Sequence, residues 1–357
     1  MKSSATVSNL VMSSTTQTVF RLTSRTGVGH IQAYQEPIPT AGDHEVLVKI
    51  KSVSINYRDI AIQTNTYPLE VTENVIPCSD LAGEVVQVSS KVKNFAVGDT
   101  VIATTSPTQY GVVKDNGQVL GGPVDGALRE YIALPANQLV KVPKSSHTFT
   151  DWAAILSTGV TTWNCFYGGL PLKPGHTVLV QGTGGVALTA LIIAKAAGAK
   201  TIVTSSSDDK LKIVQDKYGP DYTINYKTHP NWGEEVQRIT DGQGADHIIE
   251  NGGIGTIRQS IEAVAKGGII SLVGFLTTLP QDQVPDVTIL ALSKGATLRG
   301  ILGGSKQQLE EIALFVGNHN LPVPVDKAFQ YNREDIVAAM QYVASGKHMG
   351  KVCINLD

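Results

Sequence analysis

The stretch "TVLVQGTGGVALTALIIAKAAGAKTIVTS", Thr177 to Ser205, constrains the fold more than any other part of the chain. A short β-branched apolar run ends at Gln181, glycines follow at once, and a long segment rich in Ala, Leu and Ile comes next. That order is a buried strand turning directly into a helix. Gly182, Gly184 and Ala187 occupy the three marked places of a G-x-G-x-x-G/A turn. The first lets the chain turn tightly, the second lets backbone approach a pyrophosphate, and the small third lets the helix pack close to the strand. The helix N-terminus offers N–H groups and a positive dipole end to the phosphates. Gly182, Thr183, Gly184, Gly185 and Val186 are therefore the expected grip on a dinucleotide. A purely structural turn is the competing reading, and the strand and helix on either side favour the dinucleotide.

The same rhythm continues with "KTIVTS" before "SDDKLKIVQDKYG", "ADHIIEN" before "GTIRQSIEAVAKGG", and then "IISLVGF". Alternating strands and helices imply a doubly wound α/β domain, a parallel sheet with helices on both faces. Upstream, from Val19 to about Pro143, short β-type runs broken by turn residues ("EVLVKIKSVSI", "GEVVQVSS", "VGDTVIA", "ALREYIAL") read as a mostly antiparallel β domain. Two further helical patterns and the strand-like "GKVCINL" close the chain and are expected to pack back on that first domain. A length of 357 residues suits about two domains. The expected division is a flexible extension over 1–18, a discontinuous β domain over 19–145 and 306–357, and a dinucleotide domain over 146–305. The Ser- and Thr-rich opening lacks acid but carries only Lys2, so an extension is preferred to a transit peptide.

A formal net charge of -2 with 17% charged residues gives no basic surface for nucleic acid or anionic membrane. No apolar run approaches the roughly 20 residues of a membrane span. Cys78, Cys165 and Cys353 lie far apart, which suggests neither a disulfide framework nor a cysteine zinc cluster and fits the reducing cytoplasm.

The end of the second strand selects the cofactor. An acid there would bond the adenosine ribose hydroxyls of NAD and repel the extra phosphate of NADP. This chain has Thr204, Ser205, Ser206 and Ser207, with Lys210 one turn on. Ser205 and Ser206 as neutral donors, and Lys210 as a cation, point to NADPH. The alternative is that Ser207 caps the next helix while Asp208, Asp209 and Lys210 are solvated first-turn residues. Both readings can hold together.

These residues resemble the medium-chain dehydrogenase/reductase superfamily, in its zinc-free quinone oxidoreductase-like branch. The marks run in order from "EVLVKIKSVSINYRD", "IPCSDLAGEVVQV" and "FAVGDTVIA" through "GVTTWNCF" and the glycine turn to "TSSSDDKL", "TINYKT", "NWGEEV", "SLVGFL" and "GKHMGKVCI". The resemblance implies a GroES-like β domain, a Rossmann cofactor domain inserted into it, and an active site between them. It places Thr161 near the nicotinamide amide, Tyr226 beside the ribose phosphate, and Val273, Gly274 and Phe275 beside the nicotinamide. Lys351 either sits near the same cleft or is a surface lysine before the last strand. Asn251 stands where the family has valine, which brings a polar group close to the cofactor.

Zinc-containing cousins ligate a metal at places filled here by Asn56, by the "CSDLAGE" stretch with Cys78 and Asp80, and by residues around Thr158. This set is poor for zinc, so no metal is expected. Without a Lewis acid, a conjugated enone or quinone, whose developing charge is spread, is easier to reduce than a simple ketone. Tyr57 is the candidate donor, since a phenol is protonated at neutral pH, with Asn56 holding the substrate or a ribose hydroxyl. Tyr57 as an aromatic wall is the alternative. Tyr67 and Trp163 are expected to line the substrate pocket. The expected function is NADPH-dependent reduction of an activated C=C bond or quinone. A zinc-free carbonyl or alcohol oxidoreductase, a non-catalytic NADPH-binding protein and a non-redox biosynthetic enzyme are the alternatives. The run "ATLRGIL", Ala296 to Leu302, reads as an edge strand that pairs with its symmetry mate in a homodimer.

Overall fold

The computed structural model describes residues 15–104, 106–114 and 119–356. Residues 1–14 of the expected extension lie outside these. Its end needs correction, because Thr16, Gln17 and Thr18 already belong to a strand: β1 (Thr16–Leu22) pairs antiparallel with β2 (Ile31–Pro37) from Thr16 opposite Pro37 to Leu22 opposite Ile31.

The β-rich half continues with β3 (Glu45–Ile55), helix α1 (Tyr57–Gln63), β4 (Asp80–Val88), β5 (Thr100–Ala103), β6 (Tyr131–Pro135) and β7 (Leu139–Lys141). The long helix α2 (Phe149–Tyr167) follows, started by a capping box in which Thr148 and Asp151 bond each other's backbone N–H. The second half runs β8 (Thr177–Gln181), α3 (Gly185–Ala196), β9 (Lys200–Ser205), α4 (Asp208–Tyr218), β10 (Tyr222–Asn225), α5 (Trp232–Ile239), β11 (Ala245–Glu250), α6 (Ile257–Ala263), β12 (Val264–Leu272), α7 (Val287–Lys294) and β13 (Thr297–Gly300). The chain ends with α8 (Lys306–His319), β14 (Val325–Gln330), α9 (Arg333–Ala344) and β15 (Lys351–Asn355).

Strands β8 to β13 form a six-stranded parallel sheet in the order β10-β9-β8-β11-β12-β13, the doubly wound Rossmann arrangement. The strand order reverses between β8 and β11, and a ligand crevice forms outside the carboxyl ends of strands at such a point. The other large sheet has the order β14-β15-β3-β4-β5-β7, with β6 also on β3, and all of its pairings are antiparallel except β14 with β15. Chain positions 352–355 thus pair with β3, some 300 residues earlier. One helical reading fails at its end: Val264, Ala265 and Lys266 of "IEAVAKGG" are strand, because β12 pairs with β11 from Ala245 opposite Val264 onward.

Three apolar clusters hold these layers together. The first fills the β-rich half and takes in Ile336, Ala339 and Met340 of α9. The second joins Trp152, Leu156, Val160 and Phe166 of α2 to Leu188, Leu191 of α3 and Leu309, Ile312 of α8. The third covers the opposite face of the parallel sheet with Trp232, Val236, Ile257 and Ile261. Helix α2 packs on β3, β4 and β15 as well as on α3, so it lies between the two sheets and fixes one against the other. Among the described residues no helix is long and apolar enough to cross a membrane.

His247 on β11 is 1% exposed, and neither ring nitrogen has a hydrogen-bond partner. It packs edge-on to Phe166 at 5.9 Å between ring centres and near His176 at 5.5 Å. Burial, reinforced by His176, lowers its pKa from 6.5 to about 4. The unfolded chain therefore takes up this proton first. Stability is full above pH 6.5 and falls as pH drops toward 4, by up to about 3 kcal/mol from this group. Denaturant unfolding between those limits should show His247→Leu to have a flatter pH dependence than the parent.

Candidate active site

The glycine turn lies at the end of β8, at the reversal in strand order. Gly182 has φ +84°, a conformation that an L side chain rarely adopts. Gly184 is different: its φ is -79°, and a Cβ added there would meet no protein atom within 4 Å. Neither backbone nor packing requires glycine at that position. The space beside it is the cradle that a pyrophosphate needs. The first N–H groups of α3, from Gly185, Val186 and Ala187, have no acceptor within the helix, and no side chain caps them. Gly185 faces inward, where a Cβ would stand 2.6 Å from Lys351 Cδ.

The loop after β11 is organised by Glu250, a carboxylate with no exposed surface. Its Oε1 accepts from Gly252 N (2.8 Å), Gly253 N (2.9 Å) and Thr256 Oγ1 (2.5 Å). Its Oε2 accepts from Gln181 Nε2 (2.7 Å) and Ser260 Oγ. Gln181 Oε1 in turn accepts from Asn251 N, and Asn251 Nδ2 donates to Gln181 O at 2.9 Å. The Asn251 amide is thus spent on joining the ends of β8 and β11. Val273 N and Gly274 N donate to Glu250 O at 2.9 and 3.1 Å, which brings the β12 end to the same place. Sequence reasoning missed Glu250 and Gln181. The signal for Glu250 was an acid directly after two isoleucines at the end of a strand.

At the ribose end, Ser205 is 5% exposed, Ser206 is partly exposed, and Tyr226 N donates to Ser205 O at 3.0 Å while its ring is half open to solvent. Ser207 caps α4 by accepting from Lys210 N. The Lys210 ammonium does not point freely at this corner. It donates to Gly346 O at 3.1 Å and His348 O at 3.5 Å, on the segment between α9 and β15. The same segment is bonded to the glycine turn by Gly350 N to Thr183 O at 3.0 Å.

Lys351 is 4% exposed, which overturns the surface reading of this residue. Its Nζ donates to Ile55 O at 2.7 Å and to Asn56 Oδ1 at 2.6 Å, and stands 3.9 Å from Asp80 Oδ2. Asp80 also accepts from Ser79 Oγ (2.7 Å), Ser157 Oγ (2.6 Å) and Ser157 N (3.2 Å). The carboxylate thereby joins β4 to α2. Tyr57, at the start of α1, is 51% exposed and meets Phe275 edge to face at 6.0 Å, one wall from each half of the molecule. Thr161 is buried on α2, one turn beyond Thr158, whose methyl faces Gly185. Tyr67 lies under Arg58, whose guanidinium carbon is 5.3 Å from the ring centre.

Trp163 is not with these groups. Its Nε1 donates to Glu311 Oε2 at 2.7 Å, and its ring packs on Tyr167 and Phe315, in the seam between α2 and α8. The pocket reading of Trp163 is corrected accordingly: an aromatic at helical spacing here is interhelical packing.

The donor set where a metal would stand suits a dication badly. Asn56 and Asp80 already face the Lys351 ammonium, and burial raises the Cys78 thiol well above its ordinary range. Among the described residues no group of three or more His, Cys, Asp or Glu is placed to hold a metal ion. A dinucleotide, by contrast, fits the open cradle at Gly184 and the first turn of α3, which no side chain caps.

Comparison with known proteins agrees with this layout. Residues 42–144 match the family described as "Alcohol dehydrogenase GroES-like domain", and residues 185–317 the family described as "Zinc-binding dehydrogenase". A zinc-type alcohol dehydrogenase-like protein of Schizosaccharomyces pombe is 38% identical over 325 residues, covering 88% of this chain and 91% of the relative. A quinone oxidoreductase-like protein 2 homolog of Nematostella vectensis is 29% identical over 326 residues, covering 88% and 82%. A crystal structure of an NAD-dependent alcohol dehydrogenase superposes with a TM-score of 0.84 at 27% identity, covering 95% of this chain and 100% of that one.

Because Gly184 is free of both strain and crowding, Gly184→Ala should melt within a degree or two of the parent. Its Cβ fills the cradle, so dinucleotide affinity should fall about tenfold or more, roughly 1.4 kcal/mol. Thermal melts and fluorescence titration of the same preparation test both halves.

Proposed function

The chain belongs to the medium-chain dehydrogenase/reductase superfamily, and from that premise we propose that it is a zinc-independent, NADPH-dependent reductase of activated C=C bonds or quinones. The observation that carries this reading is the buried Lys351 ammonium between Asn56 and Asp80, in the place where zinc-containing relatives are expected to hold their metal. With hydrogen-bond donors and a fixed cation in place of a Lewis acid, the site favours a substrate whose developing charge is delocalised. The neutral Ser205 and Ser206 beside the half-open Tyr226 support NADPH over NADH.

When bound, NADPH supplies the hydride. The chain's part is to hold the pyrophosphate on the glycine turn and the first N–H groups of α3, and to keep the ribose end against Ser205, Ser206 and Tyr226. Thr161, Val273, Gly274 and Phe275 border the nicotinamide place. Asn56 holds the substrate oxygen, and Tyr57, at the open edge against Phe275, supplies the proton that completes reduction. A second reading, carbonyl or alcohol oxidoreduction, is favoured by the alcohol dehydrogenase names among the relatives. Product analysis separates the two by showing which bond gains hydrogen.

NADPH oxidation over a panel of quinones, 2-enals, enones and saturated ketones tests the proposal. Turnover should appear with the conjugated substrates, survive prolonged chelation, and require NADPH, which should bind at least about tenfold more tightly than NADH. Ser206→Asp should weaken NADPH binding and spare NADH. Activity confined to saturated ketones, or abolished by chelation and restored by zinc, would overturn it.

We also propose a homodimer formed through β13. This strand is the edge of the parallel sheet, and the helix before it has no buried residue, with Ile289 60% and Leu292 76% exposed. Light scattering at micromolar concentration should give twice the mass of one chain, and Leu298→Lys should shift it toward the monomer.

A further inference from the structure

We infer that Lys351 is a positioning residue that locks the Asn56 side-chain amide, so that Asn56 Nδ2 is the donor to the substrate's carbonyl oxygen; this rests on the reductase reading above. The two ends of an asparagine amide have nearly the same shape, and only hydrogen bonding decides which way it lies. Here the decision is forced. A lysine ammonium has donors and no acceptor, so the atom 2.6 Å from Lys351 Nζ has to be Asn56 Oδ1. Nδ2 is then turned away from Lys351. It is buried and has no hydrogen-bond partner.

A buried N–H without an acceptor is costly, and an incoming carbonyl oxygen removes that cost. The ammonium also polarises the amide it grips, which strengthens the N–H as a donor as charge develops on the substrate oxygen. Lys351 itself cannot swing toward the substrate, because Ile55 O holds its Nζ and the first turn of α3 lies against its stem at Gly185. The charge of a fixed cation thus reaches the reacting oxygen through a neutral amide.

The test is a double-mutant cycle on the full-length protein with NADPH and the best enone or quinone of the panel. Lys351→Met and Asn56→Ala should each lower kcat about 100-fold, with NADPH affinity by fluorescence titration within about threefold of the parent. The double variant should fall no further than the weaker single variant, because both remove one donor. Asn56→Asp keeps an oxygen for Lys351 and replaces the N–H pair with a second, charged oxygen that the ammonium can offset, so it should fold, bind NADPH, and lose about as much turnover. Losses that multiply in the double variant overturn the relay, as does Asn56→Asp with parental turnover. Lys351→Met with parental kcat but NADPH binding weakened more than tenfold overturns it too, and makes the lysine a phosphate ligand. A parent protein that oxidises NADPH with no substrate of the panel overturns the reductase reading and the relay together.

Discussion

A lysine ammonium taken out of water has to find its whole environment inside the protein, and the arrangement around Lys351 follows from that demand. Its partners come from the end of β3, the residue before α1 and the start of β4, while its stem lies against the first turn of α3. Asp80 then carries the connection into α2 through Ser157. The glycine turn, the N-terminus of α1 and the last strand are held in register by one charge and its acceptors. Gly185 belongs to the same arrangement, being small where the lysine stem needs room.

A second buried charge organises the opposite lip. Glu250 has five donors around its two oxygens, from backbone and from neutral side chains of the β8 end, the loop after β11 and α6. Among the described residues no cation forms an ion pair with it, and its contacts are direct hydrogen bonds. The cleft is therefore bounded by one buried cation and one buried anion, each attached to the end of a strand. Between the two, Tyr57 and Phe275 leave an apolar, partly open edge.

What the sequence disclosed was whatever depends on neighbours in the chain. The glycine turn, the alternation of strands and helices and the cap at Ser207 are local, and each stands where the residue pattern puts it. The bonds that went unread depend on distant partners. Nothing near Lys351 announces Asp80 or Asn56 as its partners, and the pairings of β15 with β3 and of β3 with β4 bring them together. Lys210 was readable as a cation near the ribose end, but its bonds to Gly346 and His348 were not, since those carbonyls arrive from the far end of the chain. Trp163 misled for the converse reason: its position in the α2 helix pattern suits a pocket wall as well as a helix seam, and Glu311 on α8 settles the matter.

The return of the chain's end to β3 also has a consequence for how the molecule is made. The parallel sheet is complete once Gly300 has been synthesised, and its pairings join strands that are near in sequence, so it can form while the rest is still emerging. The other sheet cannot. Ser52 Oγ waits for Asn355 Oδ1, 303 positions later, and until then one side of β3 lacks its neighbour and the acceptors around Asn56 lack their cation. Contacts of such long separation form slowly. The parallel sheet is therefore paired before the second sheet is closed, and the bonds that tie residues 346–351 to Thr183 and Lys210 join the two halves last.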